Sequence, residues 1–129
     1  MRVLVVDDHP AFRRALTAAL RMVKDLELAG EASGGLEGAQ RAVLEDLDVV
    51  LMDLSMPDLD GIEAMRRIHK VKPELPVVIL TAHADPGVEK EAREAGASGF
   101  LAKGTGLEDL VLALRKAIDA AVPSRTAVS

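Results

Sequence analysis

The chain has 129 residues, 49% of them apolar but only 2% aromatic, with a formal charge of −5 and no cysteine. That length suits one domain burying roughly two-thirds of its unfolded surface around an aliphatic core. The acidic balance speaks against a nucleic-acid-binding face, and the missing cysteines exclude disulfides and thiolate metal sites. Arg2 is followed by four apolar residues and then Asp7-Asp8, too short a run for a secretory segment. No run approaches the roughly 20 residues of a membrane span, so a soluble cytoplasmic domain is expected.

Short apolar runs alternate with amphipathic stretches along the chain. Val3-Leu4-Val5-Val6 reads as a strand covered on both faces. Pro10 then suits the first turn of a helix with Phe12, Ala15, Leu16, Ala19, Leu20 and Val23 on its apolar side. Arg13, Arg14, Thr17, Arg21 and Lys24 are expected on its solvated side. Leu26-Glu27-Leu28-Ala29-Gly30 alternates more and reads as an edge strand, followed by a helix marked by Leu36, Ala39, Ala42 and Val43. Val49-Val50-Leu51-Met52 is a buried strand, and Ile62, Met65, Ile68 and His69 mark the next helix. Val77-Val78-Ile79-Leu80 precedes a weaker helix over 86–95, with Val88, Ala92 and Ala95 apolar and Gly96 placed to end it. Gly99-Phe100-Leu101-Ala102 is the last strand, and Leu107, Leu110, Val111, Leu114, Ile118 and Ala121 draw the clearest helical stripe. Five strands alternating with five helices predict a doubly wound α/β domain over 1–121. Residues 122–129 lose the pattern and read as a tail or the start of a linker.

The polar residues that break the pattern stand where the apolar runs stop: Asp7 and Asp8, Asp53, Thr81, and Lys103. Ligands of open parallel sheets bind beyond the carboxyl ends of the strands, near the point where strand order reverses. An order 2-1-3-4-5 would bring all three aspartates into one crevice, which is what recommends that order. Two like charges at 4 Å repel by about 4 kcal/mol at an effective dielectric of 20. A hard divalent cation, Mg²⁺ or alternatively Mn²⁺, removes that cost and leaves positions for phosphate oxygens. A carboxylate can act as a nucleophile toward phosphorus, Lys103 can neutralise phosphoryl oxygens, and the Thr81 hydroxyl can donate to them. The set reads as a phosphoryl-transfer site.

Four segments, Val3-Leu4-Val5-Val6-Asp7-Asp8, Met52-Asp53-Leu54-Ser55-Met56-Pro57-Asp58-Leu59-Asp60-Gly61, Leu80-Thr81-Ala82 and Gly99-Phe100-Leu101-Ala102-Lys103, resemble the receiver domains of two-component response regulators (CheY-like). The likeness covers residues 2 to about 121 and implies a flavodoxin-like (βα)5 sandwich with a parallel sheet in order 2-1-3-4-5. It implies Asp53 as phosphoacceptor, Asp7 and Asp8 as the acidic pair that organises Mg²⁺, and the Ser55 backbone carbonyl as a further metal ligand. It also implies Thr81 and Phe100 as a coupled switch, Lys103 as the phosphate's cation, and Ser55 and His83 as positions that tune hydrolysis. A sensor histidine kinase or phosphotransfer protein would be the donor. The chemistry would be self-phosphorylation and autodephosphorylation rather than enzymatic turnover.

Asp7-Asp8-His9-Pro10 and Lys103-Gly104-Thr105-Gly106, where many receivers place proline after the lysine, are similar to NarL/FixJ-type regulators. Those usually carry a C-terminal helix-turn-helix domain, so transcriptional output through a DNA-binding domain absent from these residues is expected, with a stand-alone receiver acting by protein contact as the alternative. The last helix-strand-helix segment, 84–121, would form the output face, where Leu112 lies off the apolar stripe at an expected homodimer contact. Several other residues suit plainer roles. His9 reads as a helix cap, Asp58 and Asp60 as loop and cap residues before Gly61, and Arg13, Arg14, Arg66 and Arg67 as solvated helix faces. An aspartyl-phosphate phosphatase is disfavoured because Ser55, not an acid, stands two residues after Asp53. A pseudo-receiver is disfavoured because none of the acids, nor the lysine, is missing.

Overall fold

The computed structural model describes the backbone of residues 1–128 and the side chains of residues 1–121, so the expected tail over 122–129 lies outside the fully described residues. Strands β1 (Arg2–Val6), β2 (Glu27–Ala32), β3 (Val49–Asp53), β4 (Val77–Thr81) and β5 (Gly99–Ala102) alternate with helices α1 (Pro10–Arg21), α2 (Gly35–Leu44), α3 (Gly61–Val71), α4 (Pro86–Glu94) and α5 (Leu107–Val128). All strand pairs are parallel, in the order β2-β1-β3-β4-β5.

The two-residue period of each strand splits the core in two. Leu4, Val6, Val50, Met52, Val77, Ile79 and Phe100 pack against α2, α3 and α4. Val3, Val5, Val49, Leu51, Val78 and Leu80 pack against α1 and α5. Every residue of β3 and β4 is buried, which explains their unbroken apolar sequence, whereas β2 at the sheet edge stays partly exposed. Its span is shifted from the expected 26–30, because Asp7 N–H donates to the Ala32 carbonyl and extends the pairing. Gly96, at φ +117°, ends α4 in a conformation that L side chains rarely adopt.

Three expectations about helix faces are corrected. In α1, Thr17 is buried and Ala15 is exposed. The Thr17 hydroxyl donates to the Arg14 carbonyl at 3.2 Å, so the helix itself satisfies it and the side chain enters the core without a partner elsewhere. Arg13 is not a solvated residue: its Nη1 donates to the Asp7 carbonyl at 2.6 Å and its Nε to Glu31 at 3.1 Å. Leu36 and Leu107, expected on apolar stripes, are exposed, each in the first turn of its helix.

Asp60 caps α3, accepting from the Glu63 N–H at 2.9 Å. Asp58 does not join it. Its carboxylate reaches back to the start of α2 and accepts from the Gly35 and Leu36 N–H groups, both at 3.1 Å, which holds its pKa below the ordinary carboxylate value. At the other end of α2, Lys72 donates to the Ala42 carbonyl at 2.9 Å and to that of Glu45. The β3–α3 loop and the residue after α3 thus clamp both termini of α2.

Candidate active site

β1 lies between β2 and β3, so the crevice at the carboxyl ends of β1 and β3 is the topological switch point. The register Val6–Met52 carries Asp7 level with Asp53, and Thr81–Ala102 carries Lys103 just past them. Asp7 and Asp53 are only 2% and 3% exposed. The Lys103 ammonium is 2.8 Å from Asp7 Oδ2 and 3.4 Å from Asp53 Oδ2, and it lies 4.6 Å from the centre of the Phe12 ring. Asp8 stands beside them, partly exposed.

One cation does not neutralise this set. Burial and the Asp7 charge push the Asp53 carboxyl up to about 6 against the pull of Lys103, with the neighbouring Asp8 adding to the rise. Among the described residues, the buried side-chain polar atoms lacking a hydrogen-bond partner are Asp8 Oδ1 and Asp53 Oδ2. Asp7, Asp8, His9 and Asp53 each offer a ligand atom within 4.8 Å of the others.

Thr81 and Phe100 fall on the opposite sheet face, in step with Ile79, and Ile79 pairs with Phe100. Thr81 is 3% exposed, and its Oγ1 accepts from the His83 N–H at 3.2 Å. Phe100 is buried in the cluster that holds Met56, Ile62 and Ala92. Ser55 is exposed in the loop after β3, and His83 is exposed beside Thr81. The loop is closed by the Gly61 N–H donating to the Leu54 carbonyl at 2.8 Å. A Cβ on Gly61 would stand 2.3 Å from the Asp53 carbonyl oxygen. Gly61→Ala is therefore expected to cost about 2 kcal/mol in urea unfolding, since backbone rather than a flexible side chain must yield.

The expected cap role of His9 is corrected. It occupies the N-cap position of α1, but its side chain makes no capping bond. The ring turns into the crevice, with Nδ1 3.2 Å from Asp7 Oδ1, 3.2 Å from Asp8 Oδ1, 3.5 Å from Asp53 Oδ2 and 3.3 Å from Lys103 Nζ. The only sequence signal was its place directly after the acidic pair. Phe12, on the apolar side of α1, also presents its ring to the Lys103 ammonium.

A doubly wound parallel sheet with an acid crevice and a lysine at its switch point is the architecture of a phosphorelay receiver. Residues 3–115 match the family model described as the response regulator receiver domain, and the chain belongs to that family. It is 36% identical over 115 residues to the response regulator UvrY of Escherichia coli K12, covering 89% of this chain and 53% of that one. The chain thus spans about half the length of the curated relatives it matches. Among solved structures, a LuxR-family two-component response regulator from Aurantimonas superposes with a TM-score of 0.87 at 30% identity, over 92% of this chain and 85% of that one. The receiver domain of the sensor histidine kinase PA1611 from Pseudomonas aeruginosa, solved with a magnesium ion in its active-site cleft, superposes at 0.81 with 28% identity, over 92% and 97%. No helix among the described residues is long and apolar enough to cross a membrane.

Proposed function

We propose that Asp53 is the phosphoacceptor of this receiver domain. The observation that carries the proposal is the Asp53 carboxylate, buried at a strand end with Oδ2 lacking a hydrogen bond and Lys103 Nζ 3.4 Å away. An Asp53 oxygen attacks phosphorus; the P–N bond of a phosphohistidine breaks, and its electron pair leaves with the imidazole. Lys103 pairs with the phosphoryl oxygens, and the Thr81 hydroxyl donates to them. The two unpartnered carboxylate oxygens and the surplus of acid over base fit a hard divalent cation. Asp8, Asp53 and the Ser55 carbonyl would hold Mg²⁺, with Asp7 organising the site. Bound there, the ion would offset the charge that accumulates on the transferring group.

Thr81 and Phe100 share a sheet face, so a shift of the hydroxyl toward the phosphoryl group opens space into which the Phe100 ring repacks. Ser55 and His83, two residues after Asp53 and Thr81, tune hydrolysis. The donor is a histidine kinase or phosphotransfer protein. The output is transcriptional, through a DNA-binding domain outside these residues, with the 84–121 face and Leu112, 49% exposed, as the homodimer contact. Incubation with acetyl phosphate and Mg²⁺ tests the reading by intact-mass spectrometry. One added phosphoryl group, absent from Asp53→Asn, is expected. Repeated turnover of a phosphoester would indicate a phosphatase instead, and no reaction an interaction module.

A further inference from the structure

We infer that Asp58 is a positioning residue for the crevice. By capping α2 from the β3–α3 loop, it holds that loop so that the Ser55 carbonyl meets the cation, and it makes the start of α2 respond to what the crevice binds. The inference rests on the proposed cation site and concerns the loop that supplies one of its ligands. Gly34 stands at the N-cap position of α2 and has no side chain with which to satisfy the first N–H groups of that helix. Asp58 supplies the cap instead, its Oδ1 accepting from the Gly35 N–H and its Oδ2 from the Leu36 N–H, each at 3.1 Å. The approach is close: a Cβ on Gly35 would stand 2.4 Å from the Leu59 carbonyl oxygen.

Little else of polar character holds the loop. It leaves β3 at Asp53 and closes where the Gly61 N–H donates to the Leu54 carbonyl. Among the described residues, the hydrogen bonds that join 55–59 to another element are the two made by Asp58. Met56 is buried in the core and roots the loop on its apolar side, while Ser55 is exposed. Ser55 therefore lies between two fixed points, the strand end at Asp53 and the cap at Asp58. Fixing both before an ion arrives removes ordering entropy that its binding would otherwise have to offset. The coupling runs both ways. A cation that steadies the Ser55 carbonyl also steadies Asp58, and through it the two N–H groups of α2.

The test is Mg²⁺ titration of the chain, followed by calorimetry and by amide hydrogen exchange in NMR spectra. In the wild type, Mg²⁺ is expected to slow exchange at Gly35 and Leu36. In Asp58→Ala, checked for folding by its melting curve, those two amides should exchange about fivefold faster without metal. The same variant should bind Mg²⁺ about tenfold more weakly. Asp58→Asn, which keeps one acceptor oxygen, should fall between. Glu37→Ala is the control for a weakened helix end, since Glu37 accepts from the Ser33 N–H at 3.0 Å and makes no hydrogen bond to the loop. It should quicken exchange at the start of α2 and leave Mg²⁺ affinity at the wild-type value. Unchanged Mg²⁺ affinity in Asp58→Ala, or an equal loss in Glu37→Ala, would reduce Asp58 to a structural cap and overturn the inference. Failure of the wild type to bind Mg²⁺ would instead strike the proposed cation site. The metal-free Ser55 amide resonance would then decide, moving in Asp58→Ala if Asp58 positions the loop and staying in place if it does not.

Discussion

Asp53→Asn is expected to make the metal-free protein about 3 kcal/mol more stable at about pH 7.5, although it removes the residue on which the proposed function depends. The Asp53 carboxyl is raised from 3.8 to about 6, first by burial and then by the Asp7 charge. A raised carboxyl keeps its proton in the folded chain over a range where the unfolded chain has lost it. Stability therefore declines as pH rises from about 4 to about 6 and stays reduced above that. The shift of roughly two units corresponds to about 3 kcal/mol. The neutral amide escapes this cost, so the gain should be full near pH 7.5 and vanish below about pH 4. Urea denaturation of both proteins across that range measures it. An asparagine variant no more stable than wild type near neutrality would mean that the crevice does not strain the carboxylate.

Lys103→Ala should act in the opposite direction, at a cost of about 3–5 kcal/mol near neutral pH. The ammonium is the nearest cation to two carboxylates that are almost fully buried, and its side chain is itself only 12% exposed. Its loss leaves Asp7 and Asp53 facing each other without compensation. The cost should shrink markedly in the Asp53→Asn background, where one of the two charges is gone, so a double-mutant cycle would give a coupling of about 1–3 kcal/mol. Phosphoryl uptake should also fall about 100-fold or more, because Lys103 is the cation poised for the incoming oxygens. Additive stabilities in the cycle would contradict the shared crevice.

The topology was legible because each buried strand is an unbroken aliphatic run and each run stops on a polar residue. Val49–Asp53 and Val77–Thr81 are the plainest cases, buried at every position. The convergence of Asp7, Asp8 and Asp53 followed from strand order, which the acids themselves recommended. What sequence periodicity concealed was local hydrogen bonding. Thr17 reads as polar, yet its hydroxyl is spent on its own helix. Asp58 sits two residues from a genuine cap, yet it bridges to a different helix 22 residues upstream. His9 satisfies the backbone position of a cap while its ring goes elsewhere, a choice made by the carboxylates across the crevice rather than by its neighbours in the chain.

A phosphoryl group on Asp53 is an acyl phosphate, and the chemistry of an acyl phosphate allows it to be located. Borohydride reduces an aspartyl phosphate, but not a free aspartate, to homoserine. The protein would be treated with acetyl phosphate and Mg²⁺, reduced, digested and sequenced by tandem mass spectrometry. Homoserine at position 53 alone is the predicted result; homoserine at position 7 or 8, or a phosphoryl group retained on a serine, threonine or histidine, would contradict the account.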